Sequence, residues 1–389
     1  MAAPTSLRPG SRALFTEEHD AFRETVRTFI ERAVLPHDQE WEQQHHPDRS
    51  LFTTAGEQGL LLFGAPEEYG GVGIDDFRFN AVVSEEFGRH GLSAPGLALS
   101  LQNDVLGPYF LELTNDEQKA RWLPGLVSGE LVSAIGMTEP GTGSDVAAIR
   151  TRAVRDGDDY VVDGAKTFIS NGLNADLVVT AVRTGDDPHK GLSLLVIETD
   201  APGFDRHLLS KIGLHGQDTC ELSFTGVRVP AANLLGAEGE GFTHLMRNLS
   251  QERLSLAVLA LAAAEGVLEN TLDYVQERTA FGRPVGSFQN SRFVLAEVAT
   301  ELDVTRTFVD DCLAEHLRGE LGAARAAKAK WWCTDVQART ADRCLQLYGG
   351  YGYMSEYPVS RAFVEARVQK IYGGTNEIMK EIVGRDLGL

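Results

Sequence analysis

Apolar positions recur every three or four residues along most of the chain, and the exceptions fall into one block. In EEHDAFRETVRTFIERAVLP, Phe22, Val26, Phe29, Ile30 and Ala33 share one helical face and Pro36 closes the run. Residues from about 16 to 130 read as helical in this way. Near residue 134 the character changes. DYVVDGAKTFIS, DLVVTAVRT, GLSLLVIET and CELSFTGVRVP are short runs rich in β-branched residues, punctuated by DG, NG, GD and TG. No helices are interleaved among them, so an antiparallel barrel or sandwich is expected rather than a doubly wound parallel sheet. From Gly241 helical periodicity returns over roughly 241–278, 288–318 and 321–346, which predicts a four-helix arrangement with short loops. The expected plan is an α-helical domain over 1–133, a β domain over 134–238 and a helical bundle over 239–389. No internal repeat or low-complexity tract interrupts it.

Size and composition narrow this plan. With 389 residues the chain exceeds one ordinary core, and 43% hydrophobic with 24% charged residues is the balance of a soluble globular protein. The most apolar run, LSLAVLALAAA at 254–264, is too short to cross a bilayer, so no membrane insertion is expected. No compact apolar stretch follows a basic head at the N-terminus, so no secretory signal is read there. Cys220, Cys312, Cys333 and Cys344 form no CxxC pair, which favours free thiols in a reducing compartment. The net charge of -20 argues against nucleic acid and anionic membrane surfaces as partners. An anionic ligand would have to be held by local donors against that field.

Several familiar chemistries are absent. The sequence has no GxxxxGK[ST], no HExxH, no GxSxG and no Cys/His cluster at zinc spacing, so no metal site is expected. GTG at 141–143 lacks the third glycine and the βαβ context of a Rossmann site. Four stretches carry more. GMTEPGTGSDVAA, 136–148, gathers Thr138, Thr142 and Ser144 among turn residues, a loop suited to a polar or anionic ligand, although glycine-rich loops between domains are common. In KTFISNG, 166–172, alternation puts Phe168 and Ser170 on one strand face, a ring and a hydroxyl that suit a planar heteroaromatic cofactor; a core Phe beside an edge Ser reads equally well. In GFTHLMRNLSQERLSLAVLA, 241–260, Leu245, Leu249, Leu256 and Leu259 form an apolar stripe that continues to Ala263, and Glu252 falls on it. A carboxylate among leucines is desolvated, which raises its pKa and suits it to take a proton; a Glu paired to a cation at the stripe's edge stays open beside that reading. Last, IYGGTNEIM, 371–379, sets two glycines before a helix with Thr375 as its N-cap.

Taken in order and spacing, GMTEPGTGSDVAA, KTFISNG, QERTAFG, CLQLYGGYGYM and IYGGTNEIM resemble the acyl-CoA dehydrogenases over nearly the whole chain. TRTFVDDCL and the segment from YGGYGYM to IYGGTNEIMKEI look most like the long-chain branch. The resemblance implies an FAD enzyme with a helical domain, a middle β-barrel-like domain and a C-terminal bundle, usually a homotetramer built as a dimer of dimers. It implies α-proton removal from an acyl-CoA thioester coupled to β-hydride transfer to flavin N5. The product is a trans-2-enoyl-CoA, and the electrons pass to an electron-transfer flavoprotein. In many relatives the residue matching Gly373 is the catalytic glutamate; in the long-chain and isovaleryl branches the base comes from the position matching Glu252. Stripe and resemblance thus meet on Glu252, with the Gly373 N–H holding the thioester oxygen and the absent Gly373 side chain leaving room for Glu252.

By the same resemblance, Met137, Thr138, Gly143 and Ser144 contact the flavin and its phosphates, and Phe168, Ile169 and Ser170 lie beside its ring. Arg278, Phe281, Gln289, Gln346, Gly349 and Gly350 reach the FAD of a neighbouring subunit, and Thr375, Asn376 and Glu377 touch the diphosphate side. Ser144, Ser250, Arg253, Gly373 and Gly374 line the acyl-CoA site. A medium- or long-chain acyl group is expected, without its length being fixed, as is a bacterial cytoplasm or, in a eukaryote, a mitochondrial matrix. A same-fold flavin oxidase or monooxygenase using oxygen, and a non-catalytic acyl-CoA-binding protein, stay open as alternatives.

Overall fold

A computed structural model describes residues 12–389. The first eleven residues, on which the absence of a secretory signal was partly read, lie outside the described residues. Seven α-helices come first: α1 (Glu17–Phe29), α2 (Asp38–Gln44), α3 (Ser50–Glu57), α4 (Phe77–Arg89), α5 (Ser93–Ser100), α6 (Gly107–Glu112) and α7 (Asp116–Ser128). The helical face of the opening run is buried through Val26, Phe29 and Ile30, and α1 passes into a π-helical turn, Ile30–Val34, before Pro36. A second π-turn, Leu101–Leu106, joins α5 to α6. Such turns often mark functional sites.

Eight strands follow: β1 (Ser133–Gly136), β2 (Arg152–Asp156), β3 (Asp159–Ser170), β4 (Leu177–Arg183), β5 (Leu192–Glu198), β6 (Phe204–Leu208), β7 (Thr219–Pro230) and β8 (Leu234–Leu235). They form one sheet in the order β6-β7-β3-β2-β4-β5-β8, with β1 added alongside β4. Pairing is antiparallel except where β4 meets β1 and β2, which it does in parallel. β4 and β5 are buried along nearly their whole length, as strands covered on both faces should be. The chain ends in α8 (Gly241–Glu277), a hairpin of β9 (Thr279–Ala280) and β10 (Arg283–Pro284), then α9 (Gln289–Leu317), α10 (Ala323–Tyr348), α11 (Pro358–Gln369) and α12 (Asn376–Asp386).

Helix α8 organises the rest. By length and composition it is apolar enough to span a bilayer, a breadth that LSLAVLALAAA alone understates, yet 83% of its most apolar window is buried inside the protein. It packs on α4, α9 and α10, and at Gly266 the crossing leaves no space for a Cβ against the Arg89 main chain. The four cysteines are buried and unpaired.

The interface of α1, α4, α8 and α9 is ionic as well as apolar. Arg306 on α9 donates to Glu85 at 2.7 Å and to both oxygens of Glu265, at 2.9 and 2.7 Å, while Arg23 on α1 donates to Glu85 at 2.8 Å and Glu86 at 2.6 Å. The surrounding guanidinium groups offset burial and hold the Glu85 carboxyl far below the usual carboxylate range. Removing one member strands the others in a low-dielectric interior. Arg306→Met should therefore destabilise the fold by about 3–5 kcal/mol, the range for breaking a buried pair, read from the midpoint of chemical denaturation.

Candidate functional site

Glu252 sits one turn before Leu256 on α8, and its flanks are tied down. Gln251 donates to the main-chain oxygen of Asp104 at 2.8 Å, and Ser255 bonds the Asp104 carboxylate; both contacts fall on the π-turn after α5. Only 6% of Glu252 is exposed. Its polar neighbours are the Tyr109 hydroxyl, 3.5 Å away and so at the limit of a hydrogen bond, and the charge of Arg253. Burial outweighs both and pushes the Glu252 carboxyl up to about 7. Among the described residues no cation forms an ion pair with this acid, and its raised pKa follows from desolvation, as the stripe predicts.

The Gly373–Gly374 turn meets α8 at this point. Both glycines have positive φ, +62° and +89°, a region that side chains oppose. A Cβ on Gly373 would fall inside the envelope of Leu256 Cδ1, and one on Gly374 would lie 2.7 Å from Met379 Cε and 4.0 Å from Arg253 Nη2. The space above Gly373 is therefore filled by Leu256 rather than left open for Glu252, a correction to the expectation from sequence. Among the described residues the Gly373 N–H has no hydrogen-bond acceptor, so it is free to donate to a ligand. Thr375 caps α12, accepting from the Ile378 N–H at 3.3 Å.

Asn376 departs from its expected place beside a cofactor. It is buried; its N–H is spent on the Lys370 carbonyl, and its amide bonds Lys330 and Thr334. It acts as a strut for the turn, while Glu377 on the same helix is exposed.

The loop 136–148 lies over β3. Glu139 accepts from the N–H groups of Arg150 and Thr151, both at 2.8 Å, and from buried Lys166 at 2.9 Å. Lys166 also donates to the Met137 carbonyl at 3.1 Å, and burial lowers its pKa to about 8. The brace leaves Gly143 and Ser144 exposed and Met137 and Thr138 half-buried. On β3 the register shifts between Lys166 and Ile169, and Phe168 adopts φ +60°. Its ring stands 68% exposed beside half-buried Ser170, whereas Ile169 turns into the sheet core and offers only its main chain. An outward ring held in strained backbone, with no aromatic or cationic partner among the described residues, fits a planar ligand.

A second group gathers away from Glu252 in sequence. Arg278, Gln346, Gly349 and Gly350 line a cleft of about 500 Å³ with Tyr274 and Tyr351, and Arg278 lies over the Tyr351 ring at 5.1 Å. Phe281, at the tip of the β9–β10 hairpin, is almost wholly exposed with φ +52°, and Gln289 is exposed at the start of α9. Ser250 is half-buried one turn from the Glu252–Arg253 pair. Sequence reading missed Tyr109, Lys166 and Lys330. Only Lys330 left a usable signal, since it shares its helix face with Ala326, Ala327 and Cys333.

Known proteins share the overall architecture. Models described as the acyl-CoA dehydrogenase N-terminal, middle and C-terminal domains match residues 16–130, 134–227 and 239–388. The mitochondrial long-chain specific acyl-CoA dehydrogenase of Sus scrofa is 45% identical over 97% of this chain and 88% of its own length. The crystal structure of an acyl-CoA dehydrogenase from Geobacillus kaustophilus superposes with a TM-score of 0.94 at 47% identity, covering 96% of this chain and 99% of that one. A glutaryl-CoA dehydrogenase from Mycobacterium smegmatis in complex with FADH2 reaches 0.90 at 28% identity, covering 96% and 95%.

Two outcomes follow from the geometry. Gly373→Ala should cost about 1–3 kcal/mol for a left-handed residue, plus the clash with Leu256, and adding Leu256→Ala should return the steric part alone, a coupling readable from urea denaturation of the four variants. Glu252 titrates at its usual value when unfolded and near 7 when folded, so the folded state binds more protons between those values. Its contribution to stability is complete below the unfolded pKa and is lost as pH rises through about 7. Glu252→Gln escapes this loss, so its stability relative to wild type should grow from pH 5 to pH 8 and then level off, measured by denaturation at each pH.

Proposed function

This chain belongs to the acyl-CoA dehydrogenase family, and on that premise we propose that it oxidises a medium- or long-chain fatty acyl-CoA to the trans-2-enoyl-CoA with Glu252 as the base. It is an oxidoreductase of the FAD-dependent type. The residues present fit that cofactor: the Phe168 ring, which has no aromatic or cationic partner among the described residues, stands beside Ser170 and suits the isoalloxazine, and the exposed main chain at Gly143 and Ser144 suits polar groups. Bound FAD supplies the acceptor for the substrate's β-hydride, and an electron-transfer flavoprotein takes the electrons onward.

The observation that carries the proposal is the approach of Leu256 and Arg253, which flank Glu252 on α8, to the Gly373–Gly374 turn; in this reading the acid and the free Gly373 N–H serve one substrate. A thioester α-proton is too weakly acidic for a carboxylate in water to remove. The match needs both a base made stronger by desolvation and a donor at the oxygen where charge develops, and one such donor is worth about 2.7–4 kcal/mol. Glu252 meets the first need, with a pKa near 7 that keeps much of it ionised at neutral pH. The Gly373 N–H meets the second. Ser144, Ser250, Arg253 and Gly374 line the acyl-CoA site in this reading, with Leu256 packed among Leu97, Leu101 and Tyr372 along the acyl path. Arg278, Phe281, Gln289 and the Gln346–Gly350 cleft face the cofactor of a second copy, which accounts for a phenylalanine left bare on a hairpin tip and implies at least a dimer, the family's usual state being a dimer of dimers. A bacterial cytoplasm or a mitochondrial matrix suits such an enzyme.

Glu252→Gln keeps the shape of the site and removes its basicity. The variant should retain FAD and its yellow colour while anaerobic bleaching by acyl-CoA disappears. Wild-type kcat/KM should rise with pH through about 7, as the free enzyme's base ionises. Undiminished bleaching by Glu252→Gln would remove this residue from the role.

A further inference from the structure

One buried cation near this site has no task in the reaction so far. Lys330 on α10 is 0% exposed, and its ammonium bonds only neutral groups: the Gly374 carbonyl at 2.8 Å and the Asn376 amide oxygen at 3.1 Å. A buried ammonium without a bonded carboxylate is costly, and burial together with the charge of nearby Arg253 pushes its pKa down to about 7. Glu377 and Asp335 attract it only from a distance, and Asp335 is itself engaged by Lys370 at 2.7 Å.

The turn that Lys330 grips needs gripping. Gly373 and Gly374 in succession, both at positive φ, form the least restrained stretch of backbone in the site. Between Tyr372 and the cap at Thr375 no main-chain hydrogen bond holds this stretch among the described residues; the next lies at Asn376, whose N–H reaches the Lys370 carbonyl. Lys330 bridges the two ends. It pins the carbonyl of one glycine and the side chain of the strut residue, which Thr334 Oγ1 also bonds, at 3.2 Å.

We infer that Lys330 is a positioning residue for the reaction: its ammonium fixes the Gly373–Gly374 turn so that the Gly373 N–H stays aimed at the thioester oxygen. The inference rests on the proposed function. A group acting through donor alignment affects ligands that carry a carbonyl at that point and spares those that do not. This separates it from a general role in folding.

The test compares wild type, Lys330→Met and Lys330→Gln as FAD-loaded protein. Binding of trans-2-dodecenoyl-CoA, which has the thioester carbonyl, and of S-dodecyl-CoA, the thioether without it, is measured by calorimetry beside kcat and KM. Lys330→Met should weaken the enoyl-CoA about tenfold and leave the thioether within about twofold, while kcat falls about ten- to a hundredfold, the effect expected from a small misplacement of a reacting group. Lys330→Gln keeps a donor of shorter reach and should show the same selectivity; it decides the matter if the methionine variant does not fold. Equal weakening of both ligands, or a kcat within twofold of wild type, overturns the inference. Glu252→Gln in the same binding assay keeps the two proposals apart: it should bind both ligands normally, since its defect is basicity, and its turnover alone judges the base.

Discussion

Burial of one carboxyl group on α8 is the constraint on which the rest of the structure turns. Glu252 lies on α8 between Leu249 and Leu256, beside Tyr109, and among the described residues the charge that bears on it is that of its own neighbour, Arg253. Burial is the dominant influence, and the cation reduces it without cancelling it. Were Arg253 bonded to Glu252 as the arginines are bonded to Glu85, the acid would be driven far below neutrality and would be useless as a base. The same helix thus carries carboxylates treated in opposite ways. Glu265, three turns on, is ringed by Arg89 and Arg306 and held low, and it joins layers of the fold. Glu252 lacks such partners and is available for chemistry.

Keeping an unpaired acid buried weakens the folded state as pH rises, so its surroundings have to be rigid by other means. The Asp104 contacts on both flanks of Glu252, the ionic cluster at Arg306 and Glu85 and the broad packing of α4 and α10 on α8 provide that rigidity. Opposite, the glycine turn is soft backbone held by hard anchors: Leu256 against Gly373, Met379 against Gly374, Lys330 and Asn376 behind. A carboxylate on a fixed helix and an N–H on a tethered turn suit the division of labour that the proposed proton removal beside a thioester requires.

Much of this was legible in the sequence because it depends on local pattern. Helical spacing marked α8, and the position of Glu252 within the stripe gave its burial without any fold being known. The turn-rich block marked the sheet, and alternation paired Phe168 with Ser170 while leaving open whether the ring faced core or ligand. The misses share a different cause. β4 pairs in parallel with β1 and β2 because β1 leaves the helical domain beside it, which no local signal announces. The left-handed Phe168 accompanies a register shift against β7, and the π-turns at Ile30–Val34 and Leu101–Leu106 interrupt the helices without a local signal such as an internal proline. Arg306 and Glu85 lie far apart in sequence and look like ordinary surface charges there. Asn376 looked like a ligand contact because its neighbours do, yet groups on α10, Lys330 and Thr334 among them, decide which way its amide faces.

The charge balance sharpens the same point. The whole chain is at -20, so its long-range field repels an anionic thioester of coenzyme A. At the meeting of α8, α10 and the glycine turn the local balance is reversed: Arg253 and Lys330 are both buried, neither bonds a carboxylate, and each has its pKa lowered by desolvation. Two cations kept dry and largely uncompensated are a standing cost to the fold. They are tolerable where negative charge arrives or develops, since a buried cation gains most from an anion that water cannot screen. Under the proposed function, withholding partners from these cations serves the charge of the ligand, just as withholding partners from Glu252 serves its basicity.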